Sequence, residues 1–229
     1  ILKDGNSVTD QSGNSNNWTV GAGTLTKTED NPSNVFATYN PLCVQVGIAN
    51  EPIFANGNTS ISGATTGGVL FHAPSTIGVS SGKWYAEFKG GSASNQNGLV
   101  GVTYNPGEDA RLDVYPGHQT HSYGYHVNGN TYTGDSASSY GNTWTTDIIG
   151  VALDLDNHKL YFSKNGTWQN SGDPTSGSTG TGSAYNLTTG ETYFFATGDG
   201  NRTYINPFDA NFGNGYTNNI CCPSITITT

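Results

Sequence analysis

Between Gly150 and Gly166 the sequence GVALDLDNHKLYFSKNG alternates apolar and polar residues, reverses at a polar tetrad, alternates again and stops at Asn165-Gly166. A period of two places Val151, Leu153 and Leu155 on one face of a strand and Ala152, Asp154 and Asp156 on the other. Asp156-Asn157-His158-Lys159 reads as the turn, because short polar side chains bond their own backbone and tolerate unusual angles there. The competing reading is a calcium loop starting at Asp154, which needs glycine at its sixth position and glutamate at its twelfth. Lys159 and Asn165 stand at those positions. A β-hairpin is the better reading.

The same period runs through much of the chain. KWYAEFK sets Trp84, Ala86 and Phe88 against Tyr85, Glu87 and Lys89, and GLVGVTY is a nearly continuous apolar strand suited to burial on both faces. SYGYHVNGNTYTG reads as two strands around Asn128-Gly129, a strong hairpin signal. DIIGVALDLD, KLYFSKNGTW, TYFFATG and TYINPFDANFG follow, and no segment sustains the apolar spacing of a long helix. Many short strands between turn residues predict an all-β, two-sheet antiparallel sandwich. Val151, Leu153, Leu155, Leu160, Phe162, Trp84 and Phe88 are the expected core. Residues 75–213 form the expected body, with 1–74 a loop-rich arm and first strands packing on it and 214–229 a tail.

Composition narrows function. Charged residues are 11% of the chain, against about 25% in ordinary domains. Thirteen Tyr and four Trp rule out the aromatic-poor signature of disorder. A net charge of −9, with only 8 Lys and Arg, argues against nucleic acid, whose phosphates need clustered cations. No apolar run approaches the ~20 residues of a membrane-spanning helix. The chain begins at Ile1 and contains no Met, so its natural start is expected to lie upstream. Cys43, Cys221 and Cys222 are too few for a disulfide framework. One bridge from Cys43 to the terminal pair and idle thiols are both open. Their spacing fits no zinc site, and the five His residues do not complete one. No cofactor is called for.

The run SSGKWYAEFK…GLVGVTY…SYGYHVNGNTYTG…DIIGVALDLDNHKLYFSKNGTW…YFFATG…DANFG, and above all Trp144 through Asn165, resembles the SPRY domain, a concanavalin A-like sandwich. The resemblance covers roughly residues 75–213. It implies a recognition module without catalytic residues of its own, binding through variable loops at one edge, here Asn105–Ser122 and the long turn after Trp168. The opening VTDQSGNSNNWTV with NVFATYNPL resembles the preface of such domains in bacteriophage structural proteins. That likeness implies a place on a virion surface, as tail fibre, spike or capsid decoration, with other virion proteins and a host-surface glycan or protein as partners. A fibre tip would make a homotrimer natural, though no coiled-coil heptads are present. A secreted location is the alternative.

Two functional readings compete with plain recognition. Related sandwiches carry paired acids for glycoside hydrolysis, which needs carboxylates about 5–9.5 Å apart. Asp154 and Asp156 share a strand face, but Asp156 falls in the turn, so catalysis is not expected. The other reading is a structural virion domain with no outside ligand. The segment GEDARLDVYPGHQTHSYGYH packs acids, an arginine, histidines and tyrosines into a charge-poor chain. Function concentrates on loops held by a rigid scaffold. Glu108, Asp109, Arg111, Asp113, Tyr115, His118 and His121 are therefore the expected ligand-binding residues, with Trp168 as an outlying candidate.

Overall fold

The computed structural model describes residues 14–17, 19, 21–22, 36–44, 52–63, 70–91, 97–201 and 206–213. The arrangement of Cys221 and Cys222, and hence any pairing with Cys43, lies outside these residues.

Two antiparallel sheets face each other. Sheet A runs β1 (Ile53–Ala55), β2 (Ser60–Ser62), β14 (Phe208–Asn211), β4 (Lys83–Gly90), β9 (Ile148–Asp154), β10 (Lys159–Lys164), β11 (Thr167–Trp168), with β12 (Tyr185–Asn186) also pairing β10. Sheet B runs β3 (Phe71–Val79), β13 (Tyr193–Asp199), β5 (Gly98–Thr103), β6 (Ser122–His126), β7 (Asn130–Thr133), β8 (Ser136–Ser139). Helix among the described residues amounts to one α turn, α1 (Pro106–Asp109), and two 3-10 turns at Gln169–Ser171 and Gly177–Thr179. The expected all-β two-sheet sandwich is the observed architecture.

The alternation works as expected in β9 and β10, whose register sets Phe162 against Val151 and Leu160 against Leu153. The turn itself differs from expectation. Lys159 pairs with Asp154, so the reversal spans Leu155–His158, one residue early, and His158 takes a φ of 57°. The reason is that Asp154, not Asp156, supplies the capping oxygen: the Asn157 amide donates to it at 3.1 Å. At Asn165-Gly166 both φ angles are positive, 48° and 80°, as a two-residue hairpin turn requires. Around Asn128-Gly129 the loop has three residues, Val127 to Gly129, and only Gly129 is left-handed, at 90°.

Val100, Val102, Phe88, Val151, Leu153, Leu155, Leu160 and Phe162 are buried between the sheets beside Tyr125 and Trp144. Trp84 corrects the expectation. It points to the inner side but stands at the second position of β4, at the sandwich rim, and 46% of it is exposed. Its indole nitrogen donates to the Ser81 carbonyl at 2.7 Å.

Alternation also predicted Asp154 on a polar face, yet it is only 3% exposed. Lys83 pairs with it, and the Asn157 side chain donates to it at 2.9 Å. Burial alone would raise its pKa, but these hydrogen bonds and the Lys83 charge hold the carboxyl below its ordinary value. A depressed folded-state pKa adds stability that is present above the unfolded-state value and lost as pH falls through the folded one. Urea unfolding across acid pH should therefore show a flatter pH dependence for Asp154→Asn than for the wild type. Parallel curves would contradict the assignment.

Candidate functional site

The segment between β5 and β6, residues 104–121, does not project into solvent. It lies as a strap across the outer face of sheet B, which is why all six residues of β5 are buried. Val100 and Val102 face the core, while Leu99, Gly101 and Thr103 alternate to the strap side. Glycines make the close approach feasible. A Cβ at Gly124 would collide with the Pro116 carbonyl, and one at Gly198 with the Pro116 ring.

The polar residues of the strap fix it in place. Asn105 caps α1 by accepting from the Glu108 amide at 3.4 Å, and Pro106 occupies the first turn, where its missing N–H costs nothing. The Asn105 amide donates back to the Glu108 carboxylate. α1 drops Asp109 onto the sheet, 1% exposed, where it accepts from the Thr103 hydroxyl at 2.6 Å and lies 2.8 Å from His121 Nε2. From β3, His72 Nε2 comes to 3.5 Å of the same carboxylate, and neither ring nitrogen of His72 has a hydrogen bond among the described residues. Burial lowers the His72 pKa, with Asp109 opposing and His121 adding to the effect. Cys43 Sγ donates to the Pro106 carbonyl at 3.3 Å, and burial, then the Asp109 charge, raises its thiol pKa.

Further along, the Leu70 amide donates to Asp113, and the Tyr115 hydroxyl donates to Asp135 in the β7–β8 turn. Burial, followed by that contact, pushes the Tyr115 phenol upward. His118 sits edge-on to Tyr115, ring centres 5.0 Å apart. The expected strap residues fall into separate contacts, Glu108 and Asp109 with His121, Tyr115 with His118, and Asp113 with the Leu70 amide. Asp109 and His121 face inward, Glu108, Asp113, Tyr115 and His118 are half-buried, and Arg111 is exposed. Trp168 is not with them. It belongs to sheet A, edge-on to Tyr85 and Tyr161 at 6.2 and 6.4 Å.

Two recesses escaped the sequence reading. One is an apolar groove of about 300 Å³ at the sandwich rim, lined by Ile77, Val79, Trp84, Phe195 and Phe212 among others. Ile77 is 42% exposed beside it. The available signal was Trp84 at the start of a strand, where a side chain of core type overruns the covering sheet. The other is a polar cleft of about 460 Å³ near the opposite strand ends, lined by Val127, Asn128, Thr143, Trp144, Asp147 and Lys164. Lys164 and Asp147 pair there at 3.2 Å. No group of three or more His, Cys, Asp or Glu among the described residues is placed to hold a metal ion. The acids weighed for hydrolysis are both engaged: Asp154 with Lys83, and Asp156 as acceptor for the Gly82 amide at 2.8 Å.

Two facing antiparallel sheets thus leave Trp84 exposed at the rim and Arg111 exposed on the β5–β6 connection. The chain belongs to the SPRY domain family, whose model matches residues 83–200, more than half of its 229 residues. SPRY domains are generally non-catalytic modules of protein–protein interaction. The chain is 27% identical over 130 residues to a Ran-binding proteins 9/10 homolog of Drosophila melanogaster, covering 54% of this chain and 13% of that protein. It is 36% identical over 80 residues to the dual specificity protein kinase splA of Dictyostelium discoideum, covering 33% of this chain and 3% of the kinase. Among solved structures, the SPRY domain of human HERC1 superposes with a TM-score of 0.59 at 16% identity, over 76% of this chain and 98% of that one. That likeness concerns the fold alone.

Proposed function

We propose that this domain is a non-catalytic recognition module that docks a protein ligand at the Trp84 groove. It acts on a virion surface, as tail fibre, spike or capsid decoration, against a host-surface molecule. The observation that supports docking there is a large aromatic and a β-branched side chain, Trp84 and Ile77, left exposed on the rim of an apolar recess. Buried aromatic anchors in pockets dominate protein interfaces, so a half-exposed tryptophan beside a groove is a natural anchor point. The virion setting rests on the likeness of the opening segment to phage structural proteins.

The strap supports a second reading, because Arg111 is exposed and Tyr115 and His118, half-buried, stand edge-on to each other further along it. That set suits an acidic or hydroxyl-rich glycan. Adsorption of the purified domain to candidate host cells separates the two. Trp84→Ala should abolish most adsorption, and periodate treatment of the cells should leave it intact. If periodate removes adsorption and Arg111→Ala and Tyr115→Ala lower it while Trp84→Ala does not, the ligand is a glycan held by the strap. Adsorption by none of the proteins would favour a purely structural virion domain. Release of reducing ends from polysaccharides would replace recognition with hydrolysis.

A further inference from the structure

At its first turn the strap over sheet B is tied down by a buried carboxylate, and the ring beneath that carboxylate is a histidine with no hydrogen bond of its own among the described residues. We propose that this cluster is an acid-operated latch, in which protonation of His72 loosens residues 104–121 from the sheet and neutral pH closes them again.

Geometry carries the argument. Asp109 Oδ2 accepts from Thr103 at 2.6 Å, and it is the same oxygen that lies 3.5 Å from His72 Nε2. A proton on Nε2 therefore puts a second donor on that oxygen, while Nδ1 of the imidazolium has no acceptor among the described residues. A neutral imidazole brings one N–H and an imidazolium brings two plus a charge, into a site where His72 is only 3% exposed. Burying a charge is tolerated only when it is paired and fully bonded. Any shift of Asp109 toward His72 pulls on α1, since Asp109 is that helix's last residue, and on His121, its partner at 2.8 Å.

Among the described residues the titratable groups around His72 are few. The strap contributes Asp109 and His121, with Glu108 3.9 Å from His121 Nδ1, and Cys43 packs against Pro106. On the neighbouring strand β13, Asp199 follows Gly198, the register partner of His72. Burial lowers the His72 pKa, so an opened strap takes up the proton more readily than a closed one. Closure is then fully favoured above the ordinary imidazole value of about 6.5 and is lost as pH falls through the folded value. Asp199 works in reverse. Burial raises its carboxyl to about 7, so it favours the fold below its unfolded value and loses that contribution as pH rises through about 7. Whole-molecule melting mixes both signs, so a local readout is required.

The latch does not depend on what the domain binds. Hydrogen–deuterium exchange of the full chain at about pH 7.5 and about pH 5.5, corrected for intrinsic rates, brackets the imidazole range. Wild-type peptides spanning 106–121 should lose protection at the lower pH while β9 and β10 keep theirs. His72→Leu should stay protected at both, and His72→Gln, also uncharged, reads the same if the leucine variant does not fold. The proposal is overturned if a folded variant still loses strap protection on acidification, or if the wild-type strap is equally protected at both pH values.

Discussion

Replacing Phe162 by alanine should remove about 3–5 kcal/mol of stability, the usual cost of truncating a buried phenylalanine. In a chain of this size that corresponds to a fall of about 6–20 °C in the unfolding midpoint. The position is severe for several reasons. Phe162 is fully buried, stacks on Tyr125 with ring centres 5.1 Å apart, and meets Tyr140 edge-on at 6.0 Å. Tyr125 belongs to sheet B and Phe162 to sheet A, so the pair joins the two layers at mid-core. Urea unfolding with an unchanged slope would measure the loss. A cost below about 1.5 kcal/mol would mean that the core collapses onto the cavity, contrary to the rigid packing expected of interiors.

Gly124→Ala should cost about 2–3 kcal/mol, at the upper end for overpacking, because the obstacle is backbone and cannot rotate away. Its Cβ would meet the Pro116 carbonyl oxygen, the Pro116 carbonyl carbon at 2.8 Å and Leu99 Cδ2 at 3.2 Å. Either the strap lifts or β6 shifts, and hydrogen exchange should report lost protection over 113–121 before any change in β9 and β10. Gly107→Ala is the control, since nothing lies within 4 Å of its Cβ. That variant should be neutral or slightly stabilising, by about 0.4–1 kcal/mol through the unfolded state. Equal losses in both proteins would detach the effect from the strap.

Sheet membership was legible wherever one face of a strand is apolar and the other polar. β4, β9 and β10 announce themselves by alternation, and β5 by its unbroken apolar run. β8 gave no such signal. Its Ser136-Ala137-Ser138-Ser139 is exposed throughout and exists because Gly134 and Asp135, with φ of 55° and 60°, turn β7 back on itself. Residues 105–122 were legible as a chemically dense segment, but not as a strap. Whether a loop stands free or lies down depends on Gly124 just past its end, on Gly198 remote in sequence, and on a histidine from another strand. His72 was invisible as a site for the same reason, because a lone histidine after an apolar run says nothing of what will cover it. Trp84 misled because alternation gives the side of a sheet and not the distance to its rim.

The position of β14 has a consequence for how the molecule is made. Among the described residues it is the last strand in sequence, yet it lies inside sheet A, paired with β2 on one side and β4 on the other. During synthesis β2 and β4 leave the ribosome with no strand to join them, and from the end of β4 at Gly90 a further 118 residues bring the chain to Phe208, which with Ala210 fills the gap. Until then the inner side of β4 presents Phe88 to a sheet that is open along that edge, a state prone to wrong pairing. A fragment ending at residue 200, where the family match stops, would keep that gap permanently. Closure of sheet A therefore waits for β14, and a working domain has to reach beyond the limits of the family signature, at least to residue 211.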